Sequence, residues 1–164
     1  MTLPKPFKQG LLLAALVILL DQASKLWLMD WFGVTGPQDR VVAVPITGFF
    51  DLVAVWNKGV SFSLFSNHDG SGAWILSLVA LVITGFMLVW LWRAQGRLLI
   101  IGLGLVIGGA LGNVIDRVRF GAVFDFLLFY YQQYSWPAFN VADMGISVGV
   151  GVLLIESLVS GKKK

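Results

Sequence analysis

Four apolar runs, residues 10–28, 74–92, 98–115 and 141–159, constrain this chain more than any other feature of it. Each matches the roughly 20 residues that a helix needs to cross a bilayer. Backbone N–H and C=O groups cannot go unpaired in hydrocarbon, so runs of this length are read as spanning α-helices. Composition agrees: 57% of the residues are hydrophobic, 13% are charged and the mean hydropathy is +0.82, outside the usual range of a soluble domain. The expected fold class is all-α integral membrane, with four transmembrane helices and an insert holding a small β-sheet between helices 1 and 2. Residues 1–164 read as one polytopic domain.

The basic residues suggest an orientation. Lys5 and Lys8 precede the first run, Arg93 and Arg97 fill the short link between the second and third, and Lys162, Lys163 and Lys164 follow the fourth. Four crossings put these seven on one side, against Arg40, Lys58, Arg117 and Arg119 on the other, with Lys25 inside the first run. An excess of Lys and Arg marks the cytoplasmic side, so both termini are expected there. The first run, with its basic start, also has the look of a secretory leader. Asp21 interrupts it, however, and Gln22, Ala23, Ser24 and Lys25 continue the helical pattern with no small-x-small cleavage site, so the segment is expected to stay as an anchor.

Residues 29–73 are too polar to span and too apolar to be disordered, so they are expected to fold at the outer surface. Two β-rich stretches, 41–44 and 49–56, separated by Pro45 and Gly48, predict a hairpin or small sheet. Trp31, Phe32, Phe49, Phe50, Trp56, Phe62 and Phe65 leave two readings open: a headgroup-level aromatic belt, or a small core belonging to the insert. The link from 116 to 140 is again aromatic and falls on the same outer side.

Several chemistries are excluded or weak. There is no cysteine and one histidine, His68 in a polar turn, which leaves no thiolate and no conventional zinc set. A net charge of +3 with its bases outside the apolar runs gives no nucleic-acid footprint. No HExxH occurs and no Ser-His-Asp set lies near the membrane acids; Lys58 with Ser61 or Ser63 is the remaining hydrolase arrangement that spacing allows.

The acids are the informative residues, because a carboxylate beside a spanning helix costs several kcal/mol unless it is paired, protonated or facing water. Glu156 lies near the three C-terminal lysines and reads as an interfacial charge. Asp21, Asp116, Asp125 and Asp143 all fall toward the outer ends of their helices or in the link between them, and so converge on one leaflet. Asn113, Asp116 and Arg117 are spaced to satisfy one another on the third helix. Asn140 and Asp143 are three apart at the start of the fourth, where capping and a favourable first-turn charge are the structural reading. Asp125 lies in Val123-Phe124-Asp125-Phe126, whose bulky neighbours exclude water and raise its proton affinity. Two carboxylates held close share one proton, and such a pair can activate water and protonate a leaving amine. Gly104, Gly108 and Gly112, with Gly145 and Gly149, are read as packing positions that bring the outer ends of helices 3 and 4 together.

Taken in order, five blocks resemble the lipoprotein signal peptidase (signal peptidase II) family. They are Asp21-Gln22-Ala23-Ser24-Lys25, Asn57-Lys58-Gly59-Val60-Ser61-Phe62, the run from Gly108 through Asn113 and Asp116 to Arg117, Val123-Phe124-Asp125-Phe126, and Phe139-Asn140-Val141-Ala142-Asp143. Ser61, Met144 and Gly145 depart from the family's commonest residues. The resemblance implies a membrane-embedded aspartyl endopeptidase that removes signal peptides from prolipoproteins before a diacylglyceryl-modified cysteine. Asp125 and Asp143 match its catalytic pair, and Asp21, Lys25, Asn57, Gly59, Asn113, Arg117 and Asn140 match positions around substrate and pair. Among these, Asn113 and Asn140 are expected to orient the carboxylates or substrate, Arg117 to support the link through Asp116, and Asn57 with Gly59 to present backbone to the peptide. It implies no metal and no cofactor, a prolipoprotein and membrane lipids as partners, no nucleic acid, and a site at the periplasmic face of the bacterial inner membrane. Two other classes fit parts of the pattern: an oligomeric proton-coupled transporter whose acids relay protons, and a non-catalytic scaffold, which gives the clustered acids no purpose.

Overall fold

In the computed structural model, which describes residues 3–59 and 71–161, four helices carry the chain: α1 Lys5–Phe32, α2 Ser71–Trp92, α3 Arg97–Phe120 and α4 Val141–Gly161. All four are long and apolar enough to cross a membrane. Outward faces carry Leu12, Leu19, Phe86 and Leu158, each about 70% exposed, as suits side chains meeting acyl tails. Helices α1 and α3 outrun the apolar stretches 10–28 and 98–115. Helix ends are set by capping and not by hydropathy: Gly33 (φ 66°) and Gly121 (φ 72°) adopt the left-handed conformation that closes each last turn. Asp116 and Arg117 therefore stand on α3 and not in the link that follows it.

Helix α3 is the central strut, packed on α1, α2 and α4. Its three glycines spaced by four face α1: a Cβ on Gly104 would meet Gly10 O at 2.8 Å, on Gly108 Ala14 O at 2.7 Å, and on Gly112 Asp21 Oδ2 at 2.8 Å. The matched rise of both numberings shows that α1 and α3 run parallel. The α3–α4 contact uses a different pair, Gly102 against Leu153 and Gly109 against Ala142 and Ile146, with Gly149 returning onto Gly102 and Val106. On the α4 side Gly145 and Gly149 face α3 as expected, but the α3 stripe expected to meet them lies mainly on α1, with only a Cβ on Gly112 also meeting Ala142, at 3.2 Å, because it is about one-third of a turn away from Gly102 and Gly109. Small residues on both faces let three backbones approach closely at one level.

Beyond one end of the bundle lies a four-stranded antiparallel sheet in the order β1-β2-β3-β4: β1 Val42–Pro45, β2 Phe50–Asn57, β3 Val123–Tyr131 and β4 Tyr134–Ser135. The hairpin expected from the insert is β1–β2. The sheet's other half comes from the α3–α4 link, whose strand Val123–Tyr131 is apolar or aromatic at nearly every position and so lacks the alternation that marks a half-buried strand. A core of Leu28, Met29, Val34, Ala54, Phe124 and Phe126 joins this sheet to the helix ends. The insert's aromatics divide between the two readings: Phe32 and Trp56 pack on that core, whereas Trp31 and Phe49 are more than half exposed. Phe62, Phe65, Ser61, Ser63 and His68 lie outside the described residues.

Candidate active site

Two tiers of buried polar groups meet where α1, α3, α4 and β3 converge. The first is ionic. Asp21 and Lys25 sit on the buried stripe of α1 that also carries Ala14, Val17 and Leu28, the i, i+3, i+4 pattern of one helix face. Lys25 Nζ lies 2.8 Å from Asp21 Oδ2 and 2.8 Å from Asp116 Oδ2, and all three residues are at most 2% exposed. The remaining carboxylate oxygens are also occupied: Asp21 Oδ1 accepts the N–H of Ala142 at 2.9 Å, in the first turn of α4, and Asp116 Oδ1 accepts Gln22 Nε2 at 3.0 Å. Asp116 Oδ2 further accepts the N–H of Phe124 at 3.1 Å. Burying charge is tolerated here because each ion is paired and hydrogen-bonded. The tier ties α1, α3, α4 and β3 into one frame.

Arg117 makes no ion pair among the described residues, and Asp116 turns instead to Lys25. Neighbouring helix positions point about 100° apart, so a carboxylate facing α1 and a guanidinium one residue on do not converge. The expected support of the link through an Arg117–Asp116 pair is therefore absent. Arg117 is half-buried and within electrostatic reach of Asp143, Asp125 and Asp116, in that order of strength. Gln22 also belongs to this tier, a place the sequence alone did not assign it. An amide within a spanning run was the available signal, and its Nε2 also reaches Asp21 Oδ2 at 3.1 Å.

The second tier holds two carboxylates with neutral amides. Asn140 precedes α4 and caps it reciprocally with Asp143: the Asp143 N–H donates to Asn140 Oδ1 at 3.0 Å, and the Asn140 N–H donates to Asp143 Oδ2 at 3.2 Å. Capping is thus present, and it also orients Asp143. Asp143 Oδ1 accepts Asn113 Nδ2 from α3 at 2.7 Å. Asn140 Nδ2 reaches Asp125 Oδ1 at 2.7 Å, Asn113 Oδ1 at 3.2 Å and Phe124 O at 3.3 Å. The two asparagines therefore link Asp125 and Asp143 through a continuous chain of hydrogen bonds.

Local strand geometry delivers the rest. The segment before Asn140 runs back along β3, with the Phe139 N–H donating to Leu127 O at 3.0 Å, which brings Asn140 alongside Asp125. Between Leu52 and Val55 the β2–β3 pairing contains a bulge: Leu52 opposes Leu127, but Val55 opposes Asp125. Val53 and Ala54, both buried, stand against the single Phe126. A continuous register would set Ala54 opposite Asp125 and put Trp56 on its face. The extra residue places Val55 and Asn57 there instead. Asn57 Nδ2 then donates to Asp125 Oδ2 at 3.1 Å, while its Oδ1 accepts the N–H of Gly59 at 2.9 Å. Asn57, expected to offer backbone to a peptide, is a direct partner of Asp125.

Asp125, on β3, is 2% exposed. Burial, and secondarily the charge of Asp143, push its carboxyl up to about 7, against the opposing hydrogen bonds from Asn57 and Asn140. A carboxyl so placed holds a proton near neutral pH, and it stands beside a half-buried second carboxyl at the helix start. Among the described residues no group of three or more His, Cys, Asp or Glu side chains is gathered to hold a metal ion.

Comparison with known proteins completes the description. Residues 13–159 match the family model described as signal peptidase (SPase) II. The chain is 47% identical over 154 residues to a lipoprotein signal peptidase of Methylorubrum extorquens (strain PA1), covering 93% of this chain and 86% of that one. It is 42% identical over 158 residues to a lipoprotein signal peptidase of Rhodopseudomonas palustris (strain TIE-1), covering 94% of each. A solved bacterial membrane enzyme, determined by the in meso method at 2.3 Å resolution, superposes with a TM-score of 0.76 over 94% of this chain and 90% of that one; at 23% identity this likeness speaks to the fold alone. With four apolar helices, a shared fold and this extent of matched sequence, the chain is a multi-pass membrane protein that belongs to the signal peptidase II family.

Proposed function

We propose that this protein is an aspartyl endopeptidase that removes the signal peptide of diacylglyceryl-modified prolipoproteins, cleaving before the lipidated cysteine. The observation that carries this reading is the hydrogen-bonded chain from Asp125 through Asn140 and Asn113 to Asp143, with one carboxyl raised to about 7. The names of the relatives supply the substrate class.

In this reading Asp143 is the ionised base and Asp125 carries the shared proton. Asp143 takes a proton from water as its oxygen adds to the scissile carbonyl carbon, and Asp125 gives its proton to the carbonyl oxygen. The tetrahedral intermediate then collapses: the C–N bond breaks, the leaving nitrogen gains a proton from Asp143, and the diol returns one to Asp125. The products are a signal peptide ending in a carboxylic acid and a mature lipoprotein with a free amine on its lipidated cysteine. Water and peptide account for every atom, and neither metal nor cofactor enters the scheme.

The lipid-bearing substrate partitions into the bilayer, so its scissile bond lies near the interface where the sheet meets the helices. We assign the protein to the bacterial inner membrane with the sheet end periplasmic and both termini cytoplasmic, on the placement of Lys5, Lys8, Arg93 and Arg97. Purified protein incubated with a lipidated precursor tests the reaction: Asp125→Asn and Asp143→Asn should each abolish cleavage while the protein remains folded. Near-normal turnover by either variant overturns the assignment.

A further inference from the structure

The ionic tier takes no part in the steps above, yet one of its members touches the amide that holds Asp143. Lys25 Nζ donates to Asn113 Oδ1 at 3.3 Å, in addition to its two carboxylate partners at 2.8 Å. An ammonium has three protons and no lone pair, so it accepts the oxygen of an amide as neighbour and rejects the nitrogen. With the Asn113 oxygen held inward, the nitrogen is the atom left to face Asp143, to which it donates at 2.7 Å. Asn140 also donates to the Asn113 oxygen, but its two amide protons are shared among Asp125, Asn113 and Phe124 O. Lys25 is the charged, and therefore the stronger, of the two holds.

We propose that Lys25 is a positioning residue of the Asp125–Asp143 pair, acting through Asn113: its ammonium fixes the direction of the hydrogen bond so that Asp143 meets a donor. An inverted amide sets its oxygen against the carboxylate, a contact that only a protonated carboxyl accepts. The pair then lacks the ionised member that takes the proton from water. This inference rests on the aspartyl reading above. The charged groups bearing on the arrangement are Asp21 on the same helix, Asp116 and Arg117 on α3, Asp125 on β3 and Asp143 on α4. Lys25 also acts on Asp125 directly, favouring its ionised form.

Lys25→Met alone strands two buried carboxylates, so the informative variant is Lys25→Met/Asp116→Asn, which removes one charge of each sign, compared with Asp116→Asn. Melting temperature, kcat and KM are measured on purified protein with a diacylglyceryl-modified precursor, and the series is repeated with Asn113→Leu. Adding Lys25→Met should leave KM within about threefold and lower kcat by about tenfold or more, the range of a lost charge-assisted hydrogen bond. With Asn113→Leu present the same addition should cost less than about twofold, because the bond it orients is already gone. An equal loss with and without Asn113, or no loss at all, overturns the proposal and leaves Lys25 a structural ion.

Asn113→Asp provides a second test that keeps both ion pairs of Lys25. One oxygen still faces the ammonium while the other opposes Asp143, so kcat should fall at least about tenfold in protein that remains folded. Unchanged kcat overturns the proposal, even where the charge-matched variant does not fold. Failure here, with Asp125→Asn and Asp143→Asn inactive, sinks only the role of Lys25; activity in those two variants sinks the aspartyl reading itself.

Discussion

The two buried tiers share one end of the bundle and treat charge in opposite ways. In the lower tier Asp21 and Asp116 face an ammonium at 2.8 Å, and their other oxygens meet N–H donors. In the upper tier the hydrogen-bond donors to Asp125 and Asp143 among the described residues are the neutral amides of Asn57, Asn113 and Asn140 and the backbone N–H of Asn140, with Arg117 and Lys25 acting at longer range and forming no ion pair with either. Paired acids give up their reactivity for rigidity. Acids held by amides are oriented without being neutralised, which is the condition the proposed sharing of one proton requires. The comparison teaches that the number of buried carboxylates says little about chemistry; what counts is whether a cation has closed the site.

The sharpest way to break this contrast is to remove the carboxyl groups proposed to share a proton. Asp125→Asn and Asp143→Asn are each expected to lower kcat by about a thousandfold or more, and the double variant should cost little beyond either single one, since the two act as a unit. Multiplicative losses in steady-state cleavage would show independent acids. Next in size is an effect on stability: Asp21→Leu leaves Lys25 with one carboxylate partner and frees the Ala142 N–H, and should destabilise the fold by about 3 kcal/mol, read from detergent melting curves. A fall in activity with no change in melting would move Asp21 into the upper tier's chemistry.

A smaller loss is expected from Asn57→Ala, up to about tenfold in kcat, because one hydrogen bond to Asp125 disappears while Asn140 remains. The pH dependence refines it. A carboxyl raised to about 7 is protonated below that value and ionised above it, so turnover should decline through an alkaline limb near pH 7, by about tenfold per unit well beyond it. That limb belongs to the coupled pair. The Asn57 bond favours the ionised form, so Asn57→Ala should shift the limb to higher pH. A shift to lower pH would contradict the assigned direction.

What the sequence determined by itself was everything governed by short-range periodicity and by the cost of burying polar groups. The four spans follow from backbone hydrogen bonding in hydrocarbon, and the first hairpin follows from β-rich stretches parted by Pro45 and Gly48. The gathering of Asp21, Asp116, Asp125 and Asp143 at one end follows from the expense of an acid in the middle of a spanning helix. Five blocks of residues carried the family resemblance as well. Tertiary structure alone decided how those groups were shared out. Asp116 pairs with Lys25 and not with Arg117 because α1 and α3 run parallel in close contact along Gly104, Gly108 and Gly112. The second half of the sheet, and the bulge that sets Asn57 rather than Trp56 beside Asp125, depend on pairing between strands some seventy residues apart. No local pattern encodes such a register: a one-residue slip inverts every side chain of a strand, and only the packing of both strands on the shared core of Leu28, Ala54, Phe124 and Phe126 selects which face each residue takes.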